Sequence, residues 1–246
     1  MIDLSNKQYT PNDFLLHNYY GSLDVFYNNI SQKDSLIQKD KNNFFFYDNK
    51  LLFYFVNDIK KYNLKPSFVK LIGNNEKYFL KHEEFLALND FKLYQTFKQM
   101  TLKNENLNFF KFEFIKKPVL EDIEECYNFL SDVFKHEFNL FYKKQNFQRY
   151  INNILIYKEN NKIRGILFYS SHLNYAYLDY IATQKNLRYK YISYALLNHF
   201  FIENKDKKFY KLFVNIDNFK AINFYKRSNF NFTKLELRFY KNYDII

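Results

Sequence analysis

Val214-Asn215-Ile216-Asp217-Asn218-Phe219-Lys220-Ala221-Ile222-Asn223-Phe224-Tyr225-Lys226-Arg227-Ser228-Asn229-Phe230 joins a strand to a helix and that helix to a second strand. Asn218 is a good N-cap, Ala221 and Phe224 fall on the inward face, and Asn229 can take the left-handed conformation that ends a helix. The spacing therefore predicts a strand over 211–216, a helix over 220–227 and a last strand over 232–239. Working upstream, 192–203 reads as a helix and 176–183 as the strand before it. Runs at 154–157 and 166–169 form a hairpin around Glu159-Asn160-Asn161-Lys162, preceded by a helical stretch at 145–151. The stretch 120–134 is a helix whose first turn carries Glu121, Asp122, Glu124 and Glu125, as the helix dipole favours. An alternating strand at 109–115 completes the order β-α-α-β-β-β-α-β-α-β.

The first half alternates differently. Thr10-Pro11 opens a helix expected to run to about Asn29, and a polar linker follows from Ser31 to Asn43. The aromatic runs Phe44–Tyr47 and Leu51–Val56, separated by Asp48-Asn49-Lys50, read as an antiparallel hairpin. A short helix is expected at 58–63, a strand at 67–72, a helix at 75–88 and a strand at 91–101. The domain boundary falls near 105, giving units 1–105 and 106–246.

Composition narrows the classes of function. Hydrophobic residues make up 47% and aromatics 22%, enough for a packed core throughout. The 31 Phe and 24 Tyr against 3 Gly and 3 Pro read as compositional drift, so the net charge of +11 is not by itself a nucleic-acid signal. Lys is scattered along the chain, with no stripe for tracking phosphates, which argues against a nucleic-acid partner. Cys126 is the only cysteine, which excludes an intrachain disulfide and a redox pair, and its place among Ile123, Tyr127 and Leu130 makes it a buried, inert thiol. His17, His82, His136, His172 and His199 show no ligand spacing, so no metal is expected. No apolar stretch suits a signal or a membrane span, and the expected home is the cytoplasm, as a monomer or homodimer with no membrane partner.

In chain order the first of two informative joints, ahead of the one at 214–230, is Leu178-Asp179-Tyr180-Ile181-Ala182-Thr183, then Gln184-Lys185-Asn186-Leu187, then Arg188-Tyr189-Lys190-Tyr191-Ile192-Ser193. A loop that opens a helix offers unpaired N–H groups and a positive dipole end to an anion. Arg188 and Lys190 add charge there, and the amides of 189–193, those of Tyr189, Tyr191, Ile192 and Ser193 among them, suit a diphosphate.

These two joints resemble those of the GNAT acetyltransferases over roughly 118–246. The first resembles the family's strand followed by Arg/Gln-x-x-Gly-x-Gly/Ala at a helix start, with Tyr191 and Ser193 where the family has small residues. The second resembles its Asn-x-x-Ala-x-x-(Phe/Leu)-Tyr-x-x-x-Gly-Phe signature, with Asn229 in place of the Gly. The resemblance implies an α/β (α+β) fold with a mixed, mostly antiparallel sheet flanked by helices. It implies acetyl-CoA as co-substrate, bound by the backbone of Ile181, Ala182 and Thr183, by residues 188–193, and by Asn218, Ala221 and Phe224. It further implies transfer of an acetyl or longer acyl group to a primary amine of a small molecule or peptide, with Tyr225 as general acid toward the leaving thiolate. Asp179 stands where many relatives carry the residue that receives the amine proton. A surface ion-pair role for Asp179 and a core role for Tyr225 stay open at this point. The segment Glu84–Tyr94 resembles the closing helix and strand of a second, degenerate unit of the same kind, the alternative being an unrelated α/β cap. Two other functions fit the same sequence: aminoacyl transfer from charged tRNA, as in Fem-type enzymes with two such units, and non-catalytic ligand binding.

Overall fold

A computed structural model describes residues 13–20, 36–105, 107–184 and 191–244. In chain order the first elements are β1 (Leu16–His17), β2 (Leu36–Asp40), β3 (Asn43–Asp48), β4 (Leu51–Val56), β5 (Phe68–Gly73) and α1 (Glu76–Leu88). There follow β6 (Lys92–Lys103), β7 (Ile115–Lys116), α2 (Ile123–Phe141) and a 3-10 stretch (Lys144–Asn153). The last are β8 (Ile154–Glu159), β9 (Lys162–Ser171), β10 (Tyr175–Thr183), α3 (Ile192–Glu203), β11 (Phe209–Asn215), α4 (Phe219–Arg227) and β12 (Asn231–Lys241). Packing divides the chain into one unit of 1–97 with 234–246 and another of 98–233. The boundary read near 105 lies just past β6. The return of the C terminus to the first unit follows from the antiparallel register of β12 with β5, Glu236↔Gly73 to Lys241↔Phe68.

In the first unit β2, β3, β4, β5 and the end of β12 lie side by side, and α1 buries Phe79, His82, Phe85 and Leu86. The expected hairpin forms in the register Phe44↔Phe55 to Asp48↔Leu51, with Asn49 at φ 60° in its turn. Three expectations fail here, two of them because distant groups claim the backbone and one because the segment pairs with the strand that follows it. No α-helix forms at 13–20, the described part of the 11–29 expectation. Instead Leu16 and His17 pair with Val56 and Phe55, and the Asn18 carboxamide donates to Leu52 O at 2.9 Å and accepts from Tyr54 N at 2.8 Å. The polar linker contains β2, which pairs with β3 from Leu36↔Tyr47 to Asp40↔Asn43. The short helix at 58–63 is absent, since the Asn89 side chain accepts from Tyr62 N at 2.8 Å and donates to Lys60 O at 3.0 Å. Six residues cannot offset the cost of helix nucleation against such a competitor.

The second unit orders its strands β6-β11-β10-β9-β8-β7. It is a mixed sheet in which β7, β8, β9 and β10 pair antiparallel in turn while β10 and β11 pair parallel. The β8–β9 turn places Asn160 and Asn161 at φ 51° and 59°, which suits the two-residue turn between twisted strands. One sheet face is covered by α3 through Ile192, Ala195, Leu196 and Phe200, the other by α2 and the 3-10 stretch through Leu130, Phe138 and Phe147. The expected strand at 109–115 shrinks to β7. Phe110 N donates to Asn198 Oδ1 at 3.2 Å and Phe112 N to His199 Nε2 at 2.8 Å, so α3 side chains satisfy the amides that a neighbouring strand would have taken. Cys126 is buried as expected, and burial pushes its thiol up to about 12. No described helix is long and apolar enough to cross a membrane, and among the described residues no group of His, Cys, Asp and Glu could hold a metal ion.

Candidate active site

The two joints singled out in the sequence lie at the same end of the parallel pair β10 and β11. Their register runs from Tyr175↔Phe209 to Leu178↔Leu212 and stops there, although β10 continues to Thr183 and β11 to Asn215. Beyond Leu178 the strand β10 is still paired on its other side, Tyr180↔Phe168 to Thr183↔Gly165. Among the described residues, Ile181, Ala182 and Thr183 therefore present one unpaired backbone edge toward β11.

A β-bulge marks the point of divergence. Leu178 pairs with Tyr169 and Tyr180 with Phe168, so Asp179 is the extra residue. Such a bulge re-aims the side chains after it. Ala176 and Leu178 pack in the α3-side core and Ile181 packs there too, while Tyr180 and Ala182 join the α2-side cluster. A three-residue step between Leu178 and Ile181 on one face is possible only with the bulge, because strand side chains otherwise alternate.

Asp179 is partly buried. Its Oδ2 is buried with no hydrogen-bond partner, and no ion pair to it occurs among the described residues. Burial raises its carboxyl to about 7, an effect partly offset by a hydrogen bond from Ser170. A carboxylate held near neutrality exchanges a proton at physiological pH.

At the start of α3 the N-cap is Tyr191, and no side chain caps the helix. The first intrahelical bond runs from Ala195 N to Tyr191 O at 2.9 Å, which leaves the amides of Ile192, Ser193 and Tyr194 without helical acceptors. Ser193 Oγ lies 3.5 Å from Thr183 Oγ1, tying the helix start to the end of β10. The Tyr191 ring sits 6.1 Å from that of Phe114 and 6.4 Å from that of Phe112, so it is turned toward the 112–114 segment. Arg188, Tyr189 and Lys190 lie outside the described residues.

Gly165 had drawn no attention in the sequence, yet it sets how near α3 comes to the sheet. A Cβ there would lie 2.9 Å from Ile192 Cγ2 and 3.3 Å from Leu196 Cδ1. Gly165→Ala is expected to cost about 1–3 kcal/mol by overpacking and to displace the first turn of α3. Chemical denaturation checks this, and a variant as stable as the parent would show that the turn yields freely.

The second joint forms as the sequence indicates. Asn218 Oδ1 accepts from Ala221 N at 3.0 Å as N-cap, and Asn229 takes φ 64° after α4. Ala221 and Phe224 are partly buried against the α3-side core, while Ile222 and Tyr225 are fully inside it. Tyr225 packs on Phe230 at 5.8 Å between ring centroids, and burial alone raises its phenol above the ordinary range. Among the described residues its hydroxyl has no hydrogen-bond partner. The sequence reading also overlooked the aromatic side chains that α2 and its exit bring to β10. The Phe134 and Phe138 rings lie 4.8 and 5.3 Å from Tyr180, and the Tyr142 ring 6.1 Å.

Residues 118–230 match the model of the acetyltransferase (GNAT) family. The chain is similar to a GCN5-related N-acetyltransferase from Sphaerobacter thermophilus, with 12% identity and a TM-score of 0.55 over 83% of this chain and 78% of that one. It is also similar to an acetyltransferase of the GNAT family from Colwellia psychrerythraea, with 12% identity and a TM-score of 0.52 over 92% of this chain and 84% of that one. At such identity these two likenesses concern the fold. No curated protein matches the chain.

Proposed function

We propose that residues 118–230, an acyltransferase domain of the GNAT family, move an acetyl group from acetyl-CoA to a primary amine by direct attack. The observation that carries this reading is the end of the β10–β11 register at Leu178↔Leu212, with the buried, unbonded Oδ2 of Asp179 at the point of divergence. The exposed strand edge at 181–183 suits the amide groups of a pantetheine arm, which would add to the sheet as a short strand. The uncapped start of α3 suits a diphosphate, and Asn218 keeps its Nδ2 donors for the arm while its oxygen caps α4. Acetyl-CoA, when bound, supplies the thioester.

Each residue then has a defined task. The strand edge and the α3 amides hold the donor in register, and positioning of this kind lowers the barrier by fixing the attack geometry. Asp179 takes the proton that the amine nitrogen loses as its bond to the acetyl carbon forms. Tyr225 gives its phenolic proton to the sulfur as the carbon–sulfur bond breaks, and its raised phenol keeps that proton in place until then. Release of free thiol from acetyl-CoA across a panel of primary amines tests the proposal, together with a thermal titration by acetyl-CoA. Thiol release that tracks amine acetylation and a rise in the midpoint are expected. No stabilisation at saturating acetyl-CoA would remove the reading, because a ligand of the native state must raise its stability.

A further inference from the structure

Asp179 has a buried Oδ2 with no hydrogen-bond partner, and among the described residues it forms no ion pair. Its titration is set by burial and by Ser170, with no positive group among the causes. The Tyr142 and Tyr177 phenols are raised chiefly by burial and further by the charge of Asp179. The cation that also reaches Tyr142, Arg149, is engaged elsewhere, donating from its guanidinium to Tyr150 Oη at 2.6 Å and lying 4.7 Å over the Tyr150 ring. A carboxylate kept from water without a partner is costly, and the cost is relieved when a ligand brings the missing positive charge.

The walls define what else such a ligand carries. Tyr180 follows Asp179 on β10 and is flanked by Phe134, Phe138 and Tyr142. Tyr142 in turn meets Tyr150 at 5.4 Å. Within α2 the backbone breaks at Lys135, with φ 40° and ψ −112°, between the two rings that rest on Tyr180. Strain of this kind persists where the surroundings enforce it, and it collects at ligand sites. Aromatic faces attract an ammonium and an apolar stem alike, and offer nothing to an anion. A carboxylate one carbon from the amine would be pressed against Asp179, and like charges at that range oppose binding.

We infer that the acceptor of this domain is a primary alkylammonium on an apolar stem, with no carboxylate beside the amine, docked on Asp179 among the rings of Tyr142, Tyr180 and Phe134. The inference rests on the acyl-transfer reading for the meaning of acceptor, but binding alone tests it. Three ligands of one chain length separate the contributions: hexylamine, hexanol and 2-aminohexanoate. Their binding to the full chain is followed by thermal shift and by tyrosine emission, which the absence of Trp leaves unmasked, with and without CoA.

Hexylamine should bind at least tenfold more tightly than hexanol or 2-aminohexanoate, and Asp179→Asn should reduce it to the level of hexanol. Tyr180→Leu should weaken hexylamine while leaving the unfolding midpoint within a few degrees, which guards against loss of the fold as the cause. Equal binding of 2-aminohexanoate overturns the inference, as does hexylamine affinity unchanged in Asp179→Asn. Binding by none of the three while acetyl-CoA still stabilises the chain also overturns it, and leaves acyl transfer standing with its acceptor elsewhere. Selective hexylamine binding without any response to acetyl-CoA supports the subsite and counts against acyl transfer instead.

Discussion

Asp179→Asn should lower turnover by roughly 100- to 10,000-fold, the usual contribution of a positioned general base, while making the fold more stable at pH 8. The two effects share one cause. Burial raises the Asp179 carboxyl from 3.8 to about 7, so between those values the native state keeps a proton that the unfolded chain has released. Stability from this group is therefore full below the unfolded value and is lost as pH rises through the folded one. Above about pH 7 the native state bears a buried charge whose cost is on the order of 4 kcal/mol at 1.36 kcal/mol per unit. Asn removes that cost while leaving its own buried amide incompletely bonded, so a net gain of about 1–3 kcal/mol is expected at pH 8 and none at pH 4. The parent's kcat/KM should climb with pH toward a plateau above about 7, and the residual activity of the variant should lack that climb. Melting curves at pH 4 and pH 8 with a pH–rate profile check both halves. A variant less stable at pH 8 than at pH 4 relative to the parent would show that Asp179 is not a desolvated acid.

Both the fold and its supposed chemistry were unevenly legible in the sequence. The helix read at 192–203 is the helix observed, and the Asn218 cap and left-handed Asn229 sit where the sequence puts them. These depend on residues within a turn of one another, and aromatic-rich composition does not disturb such local signals. The failures share a different origin. Asn18, Asn89, Asn198 and His199 each reach backbone groups 25 or more residues away in sequence. Nothing local tells such a side chain from a solvated one. The same holds for the bulge at Asp179, since Leu178–Thr183 reads as an unbroken strand and only its partner β9 shows that two of its residues oppose one. Gly165 was legible in principle. In a chain with 3 Gly, one inside a strand signals a close approach by another element, and that element is the first turn of α3.

Tyr225→Phe should reduce kcat by roughly 100-fold or more without loss of stability or of CoA affinity, the second large effect expected of this site. The separation follows from the packing. The Tyr225 ring fills the α3-side core against Phe224 and Phe230, at 5.3 and 5.8 Å between centroids, and Phe keeps that ring. The hydroxyl bonds to nothing among the described residues, so its removal breaks no hydrogen bond among them. Deleting a buried hydroxyl that lacks a partner is neutral or mildly stabilising, whereas deleting one engaged in the fold costs about 1–3 kcal/mol. An unchanged or higher melting midpoint, joined to a fall in kcat with KM for acetyl-CoA held, is the signature of a proton donor to the departing sulfur. If turnover is unaffected, the hydroxyl has no part in the reaction and Tyr225 serves the core alone. If turnover and midpoint fall together, the ring is supporting α4, and the donor must be sought elsewhere along the divergent strands.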